Sequence, residues 1–113
     1  RCGDLDPGVP GFVARALGLT LAQIEAALYS DSGLKGLSGE SSDLRIVEKR
    51  AGEGVGAAQL AMQVHAYRVR KYIGAYAAAM GGCDAVAFTG GAGENSAALR
   101  RRIVDGLEFI GLE

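Results

Sequence analysis

Residues 84–95 read DAVAFTGGAGEN, an apolar run that gives way to Gly90, Gly91 and Gly93 and is followed by the charged segment SAALRRR, residues 96–102. The run is bounded by Asp84 and Gly90, is too short for a helix and is apolar at successive positions. That pattern predicts a strand over Val86–Thr89 buried on both faces. A helix is expected from Asn95 or Ser96 to about Asp105, ending at Gly106. A strand, a glycine-rich turn and a helix in this order place backbone N–H groups at a helix start, beside the carboxyl end of a sheet. Open α/β folds bind ligands there, and nucleotides suit the site. The segment matches neither G-x-G-x-x-G nor the Gly-Lys-Ser/Thr of a P-loop. A tight strand-to-helix connection that uses glycine only for backbone freedom therefore stands beside the ligand reading.

Elsewhere the pattern is helical. VPGFVARALG, residues 9–18, and TLAQIEAALYSDSG, residues 20–33, predict two short helices, the second with Thr20 as N-cap and Gly33 just past its end. SGLKGLSGESSD, residues 32–43, reads as a loop, and Ser41-Ser42-Asp43 as the start of a helix running to about Ala51. From Val55 to about Met80, Ala58, Ala61, Val64 or His65, Val69, Tyr72 or Ile73, Tyr76 and Met80 recur at three- and four-residue steps, which predicts one long helix. This inventory leaves the strand without neighbours for its backbone groups. The expectation is a piece of a larger α/β protein whose other strands lie outside these residues. An all-helical domain with an irregular apolar linker is the alternative.

Composition narrows the functional classes. With 113 residues, 49% hydrophobic and 22% charged, the chain has the make-up of one soluble globular domain. Twelve basic and thirteen acidic residues leave a net charge of −1, no electrostatic footprint for nucleic acid or an anionic membrane. Arg100-Arg101-Arg102 reads as a solvated helix face. No run approaches the roughly 20 apolar residues of a membrane span, and none resembles a signal peptide, so a cytoplasmic location is the default. Cys2 and Cys83 lack CxxC spacing and companion histidines and read as small packing residues.

DAVAFTGGAGENSAALRRRIVDGLEFIGLE, together with RCGDLDPG, GLKGLSGESSDLR and AYRVRKYIGAYAAAMGG, resembles the acetate kinase family of the actin and sugar-kinase superfamily, which phosphorylates short carboxylates. The resemblance covers essentially all of the chain. It implies an α/β fold, a segment of a ribonuclease H-like domain that is mostly helical here with one buried strand. It further implies that residues 1–113 are part of the nucleotide-binding domain in the C-terminal half of a larger two-domain kinase, with no domain boundary inside them. Acetate or another short carboxylate, ATP/ADP and Mg²⁺ would be its ligands, the metal held by residues outside the segment, and a homodimer its assembly. Propionate kinase is the nearest rival, and a non-catalytic nucleotide-binding or assembly module of the same fold is a reading from another class.

Carried over position by position, Arg1 matches the family arginine that reaches the transferring phosphoryl group, where a permanently charged planar fork suits equatorial oxygens. Asp43, Leu44 and Arg45 match the nucleotide pocket. Without the resemblance, Asp43 would only complement a helix start and Arg45 would be solvated. Gly91, Ala92, Gly93, Glu94 and Asn95 match a second nucleotide-binding segment, the glycines admitting the ligand to the backbone and Asn95 able to donate and accept. Ala92 stands where the family commonly has a bulky aliphatic residue, and Cys2 where serine is frequent. His65 reads as a packed core or interface residue and does not match the family's catalytic histidine, which lies upstream. Tyr67, Tyr72 and Tyr76 read as core or subunit contacts. Expressed alone, the 113 residues are expected to be aggregated or molten, with a helical far-ultraviolet signal and no cooperative melt. A monomer that melts cooperatively in dilute solution would refute the lone-strand argument.

Overall fold

A computed structural model describes residues 1–111. Among them are seven α-helices and a short 3-10 turn, and no strand. The chain divides into two units, residues 1–61 and 62–113, with the division falling inside the long fifth helix.

The first unit begins with α1, Gly8–Leu17, whose entry is closed by Asp6: its Oδ1 accepts from the N–H of Gly8 at 2.7 Å. It stops at Gly18, where φ is 65°, a left-handed conformation that glycine adopts without strain. α2, Leu21–Ser30, carries the expected Thr20 cap and completes it as a reciprocal box. The Gln23 N–H donates to Thr20 Oγ1, and the Thr20 N–H donates to Gln23 Oε1 at 2.8 Å. It ends earlier than expected. Gly33 opens a further helix, α3, Gly33–Ser38, inside the stretch that reads as loop. α4, Leu44–Gly52, starts at Asp43 as expected. α1 packs on α2 and α3 on α4, and Ile24, Val47 and Ala51 are buried. Full burial of side chains the size of Ile24 and Val47 is worth roughly 1.5–3 kcal/mol each.

α5, Gly56–Met80, confirms the long helix, with its buried stripe displaced from the expected one. Ala58, Ala61, Met62, Ala66 and Ala77 are buried, whereas Tyr72, Tyr76 and Met80 are exposed. Tyr67 is exposed as well. The tyrosines are therefore not core residues. Tyr72 and Tyr76 lie with ring centroids 6.2 Å apart, and Lys71 stands over Tyr67. His65 is half-buried, and that burial holds its imidazole below its ordinary value.

The expected strand is absent. Residues 85–89 have no regular secondary structure; Val86 and Phe88 are half-buried and Ala87 is exposed. The reason is the one that made the run anomalous: a ladder needs a neighbouring strand, and none exists among the described residues. The glycine turn is also different. Gly90–Asn95 winds into a six-residue helix, α6, and only at Ser96 does the chain restart as α7, Ala97–Val104. Ser96 is buried and caps α7 by accepting from the Leu99 N–H at 3.0 Å. Leu99, Ile103 and Leu107 supply the apolar side of this end of the chain.

α7 is closed from outside its own sequence. Arg70, on α5, donates from Nε to the Ile103 carbonyl at 3.0 Å and from Nη2 to the Arg102 carbonyl at 2.5 Å. A guanidinium at a helix C-terminus satisfies carbonyls that have no intrahelical partner and complements the negative end of the dipole. Arg70→Met is therefore expected to lower the free energy of opening α7 by about 1–2 kcal/mol. It is read as faster hydrogen exchange at the amides of Arg101–Val104, with Arg70→Lys recovering part of the protection. Unchanged exchange would mean that water serves those carbonyls equally well.

Candidate functional site

Three groups of residues singled out in the sequence take distinct local settings, two in the first unit and one in the second. Arg1 is exposed and lies along α2: its Nη2 donates to Tyr29 Oη at 3.2 Å, and its Cζ stands 5.0 Å from the centroid of that ring. The Cys2 N–H donates to the Leu28 carbonyl at 2.9 Å, so the backbone beside Arg1 is tied to the end of the same helix. Arg1 and Tyr29 line an open groove of about 810 Å³ with Ala22, Glu25 and Ala26. The groove thus sets one permanent cation, Arg1, among apolar side chains with the Glu25 carboxyl also on its lining.

Asp43 and Arg45 meet as a pair. Arg45 donates from Nε to Asp43 Oδ1 at 3.0 Å and from Nη2 to Oδ2 at 2.6 Å, while its own backbone N–H donates to Oδ1 at 2.9 Å. The fork-to-fork hydrogen bond from the Arg45 side chain, with the backbone bond behind it, lowers the Asp43 carboxyl to about 2. Asp43 is thus ionised at neutral pH and fixed in rotamer. The Arg45 side chain remains 89% exposed. Leu44, between them, is half-buried as the first residue of α4.

The Gly91–Asn95 segment satisfies much of its own backbone. Glu94 turns back so that its carboxylate accepts from the Gly90 N–H at 3.1 Å, and Asn95 Nδ2 donates to the Gly91 carbonyl at 2.9 Å. One of the two N–H donors of the Asn95 amide is therefore used within α6. One glycine here has a local reason: Gly90 sits at φ 73°, whereas a Cβ on Gly93 would make only close van der Waals contact with Phe88 at 3.4 Å. Gly91 has none, since a Cβ there would meet open space. Ala92 is exposed on the same turn.

Several residues that complete these settings carried no signal in the sequence. Arg100, read as a solvated position, donates from Nη1 to the carbonyls of Gly93 at 2.9 Å and Glu94 at 2.8 Å and so closes α6 from behind. Tyr29 and Gly33 frame Arg1, and only the spacing between distant parts of the chain, which no local pattern encodes, brings them there. Among the described residues no three His, Cys, Asp or Glu side chains gather in a way that could hold a metal ion. None of the described helices is by itself long and apolar enough to cross a membrane, and α1 and α2, which reach that length together, are bent by 117°.

Comparison with known proteins agrees with the resemblance. The Acetokinase family model matches residues 1–113. The chain is 51% identical over 113 residues to acetate kinase of Fusobacterium nucleatum, covering 100% of this chain and 28% of that one. It is 48% identical over 112 residues to acetate kinase of Syntrophobacter fumaroxidans, covering 99% of this chain and 27% of the relative. The crystal structure of Porphyromonas gingivalis acetate kinase superposes with a TM-score of 0.92 at 48% identity, over 99% of this chain and 28% of that one. A propionate kinase from Francisella tularensis superposes at 0.91 with 35% identity, over 98% and 29%. The chain spans a little over a quarter of the length of these relatives. With the family model matching from end to end and identity near one half, the chain belongs to the acetokinase family.

Proposed function

We propose that residues 1–113 form part of the nucleotide-binding half of a kinase of the relatives' length, one that transfers the γ-phosphoryl group of ATP to acetate. The observation that carries this reading is the match to Porphyromonas gingivalis acetate kinase over 99% of the chain at a TM-score of 0.92. In the reaction a carboxylate oxygen of acetate forms a bond to the γ-phosphorus while the bond from that phosphorus to the β–γ bridging oxygen breaks, giving acetyl phosphate and ADP. Chemistry of this kind depends on positioning and on neutralising charge at the equatorial oxygens.

Within that division of labour Arg1 meets the transferring group. Its remaining N–H donors, with one committed to Tyr29, present a fork to the equatorial oxygens. Asp43, Leu44 and Arg45 receive the adenosine: the carboxylate, held ionised, accepts from ribose or base, and the exposed guanidinium stacks. Gly91–Gly93 let the nucleotide approach the backbone, with Asn95 Oδ1 accepting beside them. Mg²⁺ would supply neutralisation of phosphate charge when bound, and the described residues do not offer a donor set for it. The carboxylate pocket is also assigned outside residues 1–113, so the segment alone is expected to be inactive. The exposed Tyr67, Tyr72 and Tyr76 are surfaces for a homodimer contact, and the setting is taken as cytoplasmic. Propionate as substrate is the second reading, supported by the Francisella tularensis structure, but at 35% rather than 48% identity.

Two substitutions in the full-length chain test the assignment. Gly91→Val adds a side chain where the protein itself has room, so the fold should survive while the KM for ATP rises by about tenfold, the equivalent of roughly 1.4 kcal/mol. An unchanged KM would remove the segment from the nucleotide site. Arg1→Ala is expected to lower kcat by at least about 10²-fold, the size seen when one preorganised donor is lost, with a smaller change in KM. A variant that raised only the KM for ATP would show Arg1 binding the ground state and not the transition state.

A further inference from the structure

We infer that Tyr29 and Gly33 are positioning residues for Arg1, Tyr29 holding the guanidinium against its ring and Gly33 leaving room for the Arg1 backbone. This rests on the transition-state role proposed above for Arg1. A long, exposed arginine on an irregular segment has many rotamers, and a group that must meet charge developing on a phosphoryl has to be oriented before that charge appears. Here two contacts remove that freedom.

The first is at the backbone. Gly33 adopts φ +59°, and a Cβ at this position would lie 2.2 Å from the Arg1 carbonyl oxygen and 3.2 Å from its carbonyl carbon. Glycine is therefore required twice over, by conformation and by the main chain of Arg1 pressed against it. The Ser32 hydroxyl, donating to the Ala27 carbonyl at 2.8 Å, fixes the break between α2 and α3 where this approach occurs. On the other side the Cys2 N–H is bonded to the Leu28 carbonyl. The arginine is thus anchored between the end of one helix and the start of the next.

The second contact is at the side chain. Tyr29 offers its ring face, 5.0 Å from Cζ to the centroid, and its hydroxyl, 3.2 Å from Nη2. Stacking orients the guanidinium plane, and the hydroxyl selects one edge of the fork, which leaves the other edge facing the groove. Tyr29 is itself 64% exposed, so its removal opens no cavity in the core.

The test uses the full-length enzyme and steady-state kinetics in both substrates. Tyr29→Ala is expected to lower kcat by about tenfold with the KM for ATP within about twofold of its starting value, and with an unchanged melting temperature. Tyr29→Phe, which keeps the ring, is expected to retain most of the rate. In an Arg1→Ala background Tyr29→Ala should have no further effect, since the group it positions is gone. A loss of the same size in that background would overturn the inference by showing that Tyr29 acts through the fold. Undiminished kcat in Tyr29→Ala, with kcat lost in Arg1→Ala, would overturn it while leaving the role of Arg1 intact. If Arg1→Ala itself kept full kcat, the role of Arg1 would fall and the positioning role with it. Gly33→Ala is expected to lose kcat more severely, but its strain can unfold the chain, so the tyrosine variants decide.

Discussion

Every helix end leaves backbone groups without partners inside the helix, and six short helices beside the long α5 among the described residues make many such ends. The structure depends on how they are closed. Thr20 and Gln23 close the start of α2, Asp43 that of α4 and Ser96 that of α7. Carbonyls at helix ends are closed by guanidinium groups from elsewhere, Arg70 on Arg102 and Ile103, and Arg100 on Gly93 and Glu94. A cap fixes where a helix begins to within one residue, and so fixes which side chains face the core. It also fixes where the segments between helices point, and every residue assigned to the site lies in or beside such a junction.

This explains which elements were legible in the sequence. N-caps act within three residues, so Thr20 and Asp43 could be read directly, and α2, α4 and the long α5 lie close to where periodicity places them. α7 begins one residue beyond the range its cap suggests, because Ser96 rather than Asn95 accepts from the third amide. α3 was illegible because its six residues include two glycines and no apolar repeat long enough to show a period. The Val86–Thr89 run shows the opposite failure. Its composition is that of a strand, but strand formation is a property of two segments, and composition in one cannot supply the other.

The candidate site was legible only in part and for a related reason. Asp43 and Arg45 are two residues apart, and their pairing follows from local geometry once the helix start is known. Arg1 had no local signal: what orients it lies 28 positions away at Tyr29 and 32 away at Gly33, reached only through the turn between α2 and α3. Its role came from resemblance, not from its surroundings. Arg100 sits in a basic run before acidic residues, a pattern that looks like a solvated face, whereas its side chain reaches back six and seven residues to α6. The tyrosines of α5 were placed at helical spacing correctly, yet that spacing says which residues share a face and not what covers it.

The glycines separate two kinds of constraint that look alike in sequence. Gly33 is required by the protein: a left-handed backbone and the Arg1 carbonyl occupy the space a side chain would need. At Gly91 neither reason applies, because its φ is not positive and a Cβ would meet nothing. Glycine in a helix interior is destabilising by roughly 0.5–1 kcal/mol relative to alanine, and at Gly91 no contact within the chain offsets that loss. A close approach by a molecule outside the chain would. The neighbouring Gly90 marks the limit of this argument, since its positive φ accounts for it without any ligand, whereas a Cβ on Gly93 would meet Phe88 only at 3.4 Å. Gly90 is therefore explained within the chain, and Gly91 is where the nucleotide site proposed above supplies a reason that the fold does not.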